Sequence, residues 1–110
     1  MDRTSYQAWT SLDLRVGAIV EALPFPEAKQ PAILLSIDFG ALGVLKSSAQ
    51  ITDRYGPEDL QGRQIIAVVN FPPKQIAHHM SQCLVLGALS EEGVTLLQPD
   101  QKVPNGSKVE

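Results

Sequence analysis

The segment Asp13 to Leu23 (DLRVGAIVEAL) constrains the fold more than any other part of the chain. Leu14, Val16, Ala18 and Val20 alternate with Arg15, Gly17, Ile19 and Glu21, the period-two pattern of a β-strand. A glycine inside so long a strand predicts a bulge or sharp bend at Gly17. Small closed barrels use such bends to carry one strand across two sheet layers.

The rest of the chain supplies partners for that strand. Pro24, Pro26 and Pro31 punctuate the loop PFPEAKQP, and Ala32 to Phe39 then reads as a second strand with Ile33, Leu35, Ile37 and Phe39 on one side. Val44 to Lys46 is a short third strand. Ser47 to Thr52 reads as a polar loop starting a helical turn that reaches Tyr55, and Pro57 suits the first position of another turn. Arg63–Val69, Gln82–Leu89 and Val94–Leu97 are the fourth, fifth and sixth strands. Asn105-Gly106 marks a turn in the tail. Short strands separated by turn signals indicate a barrel or sandwich, and the long bent first strand selects the barrel. The expected fold is all-β, a five-stranded OB-fold Greek-key barrel with short helical turns and N- and C-terminal extensions.

A chain of 110 residues is one domain, here 1–110, with a helical extension at 1–12 and a second extension at 99–110. Thr4 to Ser11 is expected to form a short helix capped by Thr4, with Tyr6 and Trp9 one turn apart. So short a helix must dock, on the open barrel end or on a second subunit. No apolar run approaches the roughly 20 residues of a membrane helix, and the N-terminus lacks a signal-peptide layout. The expectation is a cytoplasmic protein without membrane insertion.

Catalytic chemistry finds little support. The single cysteine, Cys83, reads as a small core hydrophobe, since nothing nearby orients His78 or His79 as a base. The two histidines read as a solvated loop pair that cannot share one metal on a strand. Asp13, Asp38 and Asp53 show no spacing for paired acid–base work. No enzyme activity, metal or cofactor is expected. A net charge of −3 argues against tight, non-specific nucleic-acid binding but leaves room for a local basic face from Arg15, Lys46 and Lys74, with Arg63 as a further candidate.

The strongest binding signal is Asn70-Phe71-Pro72-Pro73-Lys74, between the apolar runs Ile65–Val69 and Leu84–Leu86. Consecutive prolines have no N–H and a fixed φ, so the sheet ladder must break here. An amide, an aromatic ring and a cation are thereby held on a stiff loop over a β scaffold, a common construction for binding sites.

LDLRVGAIVEA (Leu12–Ala22), PEA (Pro26–Ala28), SIDFG (Ser36–Gly40) and LQGRQIIAVVNFPPKQIA (Leu60–Ala77) together resemble the tRNA-binding-domain family. SSAQIT (Ser47–Thr52), VVNFPP (Val68–Pro73), VLG (Val85–Gly87) and LLQPDQ-x-VPNG (Leu96–Gly106) are similar to its stand-alone CsaA-type branch of export-related chaperones. The resemblance implies a non-enzymatic cytoplasmic homodimer that binds unfolded precursor polypeptides destined for export, with tRNA or structured RNA as the alternative ligand. The matching positions are Arg15, Ser48, Gln50, Asn70, Phe71, Pro72, Lys74 and Ser81. Where the RNA-binding branch carries a basic, glycine-containing element, this chain has Ala77-His78-His79-Met80, which lowers its phosphate-binding potential.

The expected site combines those positions with Lys46 and Met80. Phe71, Pro72, Ile76 and Met80 supply apolar surface for a client, and methionine repacks readily. Ser48, Gln50, Asn70 and Ser81 supply partners for its backbone. Lys46, Lys74 and Arg15 supply positive charge. An RNA ligand would instead stack on Phe71, Tyr55 or a histidine, a thin set in a chain with 5% aromatic residues.

Overall fold

The computed structural model describes residues 1–110. It contains one helix, α1 (Tyr6–Thr10), and ten strands: β1 (Leu14–Pro24), β2 (Ile33–Asp38), β3 (Val44–Ala49), β4 (Gln64–Val68), β5 (Lys74–Ile76), β6 (His79–Ser81), β7 (Leu84–Val85), β8 (Gly87–Ser90), β9 (Gly93–Leu96) and β10 (Lys108–Val109). The main antiparallel sheet runs β3-β2-β1-β4-β7. Its two ends meet again. Gln82 N donates to Lys46 O at 2.7 Å, and Ser47 Oγ donates to Cys83 O at 3.0 Å. The result is the nearly closed five-stranded barrel of an OB fold.

The first strand serves two layers, as its length predicted. Leu14 to Ala18 pair with β4, and Ala18 to Pro24 pair with β2. The register slips between Ile19 and Glu21, so the irregularity falls at Val20 and not at Gly17. Gly17 answers to a different constraint, since a Cβ there would lie 2.7 Å from Ile37 Cγ2 and from the Phe39 ring. Glycine is needed for close packing, not for the bend.

Ile33, Leu35, Ile37 and Phe39 project into the core with Ile19, Leu60 and Ile65. Leu60 follows a 3₁₀ turn, Pro57–Asp59, in which Pro57 takes the first position as expected. The opposite face of β1 is also covered. Leu14, Val16 and Val68 are buried, and on their face Gln64 clasps the tail. The Gln64 side chain donates to Val103 O at 2.6 Å and to Asn105 Oδ1 at 3.0 Å, and accepts from Val103 N at 3.2 Å. Gly106 N donates to Val16 O at 2.7 Å, and β10 pairs with Leu14 and Arg15.

Four local expectations need correction. Ser47 to Ala49 extend β3 instead of forming a loop, because their backbone pairs with Leu35 to Ile33 of β2 and the buried Ser47 hydroxyl finds Cys83 O, 36 residues away. The helical turn follows it, with Tyr55 N donating to Ile51 O at 3.2 Å. The fifth strand is broken: Leu86 N donates to Ile66 O, and β8 then turns off to pair with β9. Lys74 to Ser81 form an unforeseen hairpin, β5–β6, whose turn holds Ala77 at φ 52°. Helix α1 is capped by Ser5, whose hydroxyl accepts from Ala8 N at 3.2 Å, and not by Thr4. None of its residues is buried, and Tyr6 is 79% exposed.

Candidate binding groove

The chain leaves β4 at Val68, passes through Phe71-Pro72-Pro73 and returns as β5. This path leaves a hollow of about 390 Å³ between the end of β3 and the hairpin. Ser48, Ala49 and Gln50 line one side; Lys74 and Ile76 line the other; Phe71, Pro72 and the stretch Ser81 to Leu84 complete it. A second hollow of about 550 Å³ shares Ser48, Gln50, Lys74 and Ile76 and continues to the loop Glu27–Gln30. The shared residues make the two hollows one groove, apolar at the Phe71–Leu84 end and polar at the other.

Its chemistry follows from which groups are already engaged. Phe71 is 45% exposed and Leu84 51%, so both present apolar surface to a ligand. Ser81 Oγ accepts from Ser48 N at 3.3 Å and pins β6 to β3. The Ser48 hydroxyl, the Gln50 amide and the Lys74 ammonium line the groove with no hydrogen bond or ion pair to the rest of the chain. An extended polypeptide would find there a row of donors and acceptors beside an apolar wall.

Six of the expected site residues thus converge: Ser48, Gln50, Phe71, Pro72, Lys74 and Ser81. Four lie elsewhere. Arg15 Nε is 2.6 Å from Asp13 Oδ1 and its Nη1 donates to Gly106 O at 3.1 Å. The hydrogen bond to Asp13 pushes the guanidinium pKa up, and the group serves the β1–tail junction. Lys46 is exposed outside the groove lining, with its backbone tied to Gln82. Met80 lies opposite Gln75 across the hairpin, on the other face from Lys74 and Ile76. Asn70 Oδ1 accepts from Asp13 N at 2.9 Å, and its Nδ2 donates to Ser11 O at 2.8 Å. Asn70→Ala is therefore expected to lower stability by about 1 kcal/mol in urea unfolding while leaving groove binding unchanged.

Gln82, Cys83, Leu84 and the Glu27–Gln30 loop complete the groove without having been expected there. Leu84 was accessible from alternation: Cys83 is buried, so its neighbour must face outward. The Cys83 thiol is pushed up to about 11 by burial and remains protonated at neutral pH, a wall atom and not a nucleophile.

Only one of the two histidines is solvated: the His78 side chain is 72% exposed, whereas His79 is half-buried. Both rings meet Phe25 edge-on, His78 at 6.2 Å and His79 at 5.6 Å between centroids. His78 Nε2 lies 3.6 Å from Glu27 Oε2. His79 is half-buried, and its Nε2 is enclosed with no hydrogen-bond partner. Burial lowers the His79 pKa, assisted by the positive charge of Lys46 and by His78.

Residues 14–108 match the family described as a putative tRNA binding domain. The chain belongs to this tRNA-binding-domain family. Among solved structures it is similar to the chaperone CsaA of Bacillus anthracis str. Ames, with 52% identity and a TM-score of 0.94, covering 99% of this chain and 100% of that one. The CsaA chaperone protein of Picrophilus torridus is 49% identical with a TM-score of 0.93, covering 98% and 100%. The resemblance to a CsaA-type member of the tRNA-binding-domain family therefore holds across both sequence and fold. The methionine–tRNA ligase of Pyrococcus furiosus is 34% identical over 110 residues, 99% of this chain but only 15% of the ligase. This tRNA-binding-domain protein thus spans a small part of the curated relatives it matches.

Proposed function

We propose that this chain is a non-enzymatic, ATP-independent chaperone that acts as a homodimer and holds unfolded, export-bound polypeptides in the cytoplasm. The observation that carries the proposal is the groove: exposed Phe71 and Leu84 beside the unengaged Ser48, Gln50 and Lys74 groups. Unfolded segments present apolar side chains and unpaired backbone together, and this lining meets both needs. The similarity to two CsaA chaperones over their full lengths supports the same reading. Energy input has no evident seat, because the sequence carries no Gly-rich phosphate-cradling motif. No helix is long and apolar enough to cross a membrane. Dimerisation is supported by α1, which buries none of its own residues and lies with Trp9 beside Leu12 and Val109.

The test is aggregation of a chemically denatured client after dilution, without ATP. Equimolar protein should suppress light scattering, whereas unchanged aggregation at a several-fold excess would refute holding activity. Light-scattering mass should correspond to two chains at micromolar concentration, and a one-chain mass would refute the dimer.

A second reading is supported by the family match and by the unpaired Lys74 next to an exposed aromatic ring. Here the groove takes tRNA or another structured RNA. Its signature is an affinity that falls steeply with salt, since phosphate neutralisation releases counterions.

A further inference from the structure

The β5–β6 hairpin supplies the Lys74–Ile76 wall of the groove yet is hydrogen-bonded as a sheet of its own, separate from the barrel sheet. Pro72-Pro73 precedes it, and Gln82 joins it to the barrel wall. Its turn is tense. Ala77 sits at φ 52°, a left-handed conformation that costs an L-residue about 1–2 kcal/mol. Near the turn, the hairpin meets the rest of the molecule through His78 and His79, which grip Phe25 of the loop after β1.

His79 is the vulnerable part of that grip. With its proton on Nδ1, a neutral imidazole leaves Nε2 as a bare acceptor, and the enclosed site tolerates this. Protonation would turn Nε2 into a buried donor with no acceptor, on a charged ring. The groups that face it are unfavourable to that charge: Lys46 from β3 and His78 from the turn both oppose it, Phe25 is apolar, and Ile76 is its cross-strand partner. Glu27, the nearby carboxylate, is placed against His78 instead. That exposed pair is worth little and cannot offset a buried charge.

We propose that the β5–β6 hairpin is a pH-responsive flap, latched over the groove by neutral His79 against Phe25 and released when that imidazole takes up a proton beside Lys46 and His78. The inference rests on the reading of the groove as the client site. Release frees the turn end and withdraws Ile76, the cross-strand partner of His79, from the groove wall while the base stays pinned through Ser81, so acidification weakens client holding. The direction follows from linkage. A histidine harder to protonate in the latched form than in the released form gives the latch its full strength above the ordinary value of 6.5; that strength is lost as the pH falls below it.

The experiment follows the full-length protein from pH 8 to pH 5 by NMR, reading the His79 ring and hydrogen exchange of the Lys74–Ser81 amides corrected for intrinsic pH dependence. Affinity for a fluorescent unfolded client is measured across the same range. Wild type should lose hairpin protection together with about fivefold or more in affinity, a population shift of the latched state. His79→Phe keeps a ring against Phe25 and removes the titration, so both profiles should become flat. His78→Gln removes one of the two rings on Phe25, so it should loosen the latch at every pH yet keep a His79-dependent pH response, and a urea midpoint near wild type in His79→Phe guards against a folding failure in that variant. Hairpin protection that does not change with pH in wild type would overturn the latch. Loss of protection with no change in affinity would overturn its link to the groove. Loss of protection in a protein that binds no client at any pH would support the latch and overturn the client reading instead.

Discussion

Gly17→Val is expected to cost more than about 3 kcal/mol and to shift the urea midpoint sharply downward. The first added carbon would lie 2.7 Å from Ile37 Cγ2 and from Phe39 Cδ1 and Cε1, well inside the roughly 3.5–4.0 Å of a relaxed carbon contact. Both neighbours are fully buried, so neither has room to retreat. The two further methyls of valine would enlarge the clash. Total stability for a domain of this kind is about 5–15 kcal/mol, so one substitution removes much of it. Strand propensity alone predicts the opposite sign, because valine is a better strand former than glycine. A midpoint equal to or above wild type would refute the close approach of β1 to the end of β2.

Phe71→Asp is expected to weaken client binding at least tenfold, about 1.4 kcal/mol, while the unfolding midpoint stays near wild type. Phe71 is outside the core and lines the groove, so its removal subtracts ligand surface without opening a cavity. The new carboxylate would also stand in the same groove as Lys74 and neutralise its free charge. A conservative change separates the two ligand classes. Phe71→Leu keeps apolar area but loses the aromatic face; polypeptide affinity should survive, whereas stacking of a base should be lost. Fluorescence anisotropy with a labelled unfolded client and with labelled tRNA measures both. Normal client affinity in the Asp variant would place the site elsewhere.

Strand content was legible wherever alternation was uninterrupted. Ile33, Leu35, Ile37 and Phe39 all reach the core as their spacing demands. Legibility failed where a distant partner decides the conformation. Ser47 to Ala49 look like loop, yet become strand because β2 pairs with their backbone and Cys83 O accepts the Ser47 hydroxyl. The β5–β6 turn carries no glycine or asparagine to announce it, and Ala77 adopts the left-handed conformation that such residues usually take. For the groove, the proline loop drew attention to Phe71, Pro72 and Lys74, which line it, because two prolines dictate a break on their own. Asn70 and Arg15 fall outside the groove lining for one shared reason. Each is a polar residue whose partner is fixed only by folding: Ser11 and Asp13 for the amide, and the tail carbonyl of Gly106 for the guanidinium. Polarity in a sequence shows that a partner is needed, not whether a ligand or the protein itself supplies it.

The clasp of the tail on β1 also orders events during synthesis. Arg15 and Gly106 meet although they stand 91 positions apart, and Leu14 pairs with Val109. A nascent chain can align β1 with β2 early, since those segments are neighbours, but the first residues of β1 stay without their tail partner until residues near 109 have left the ribosome. Completion of the barrel surface is therefore a late step that waits for β10. Until then the start of β1 remains an open template on which another chain can pair.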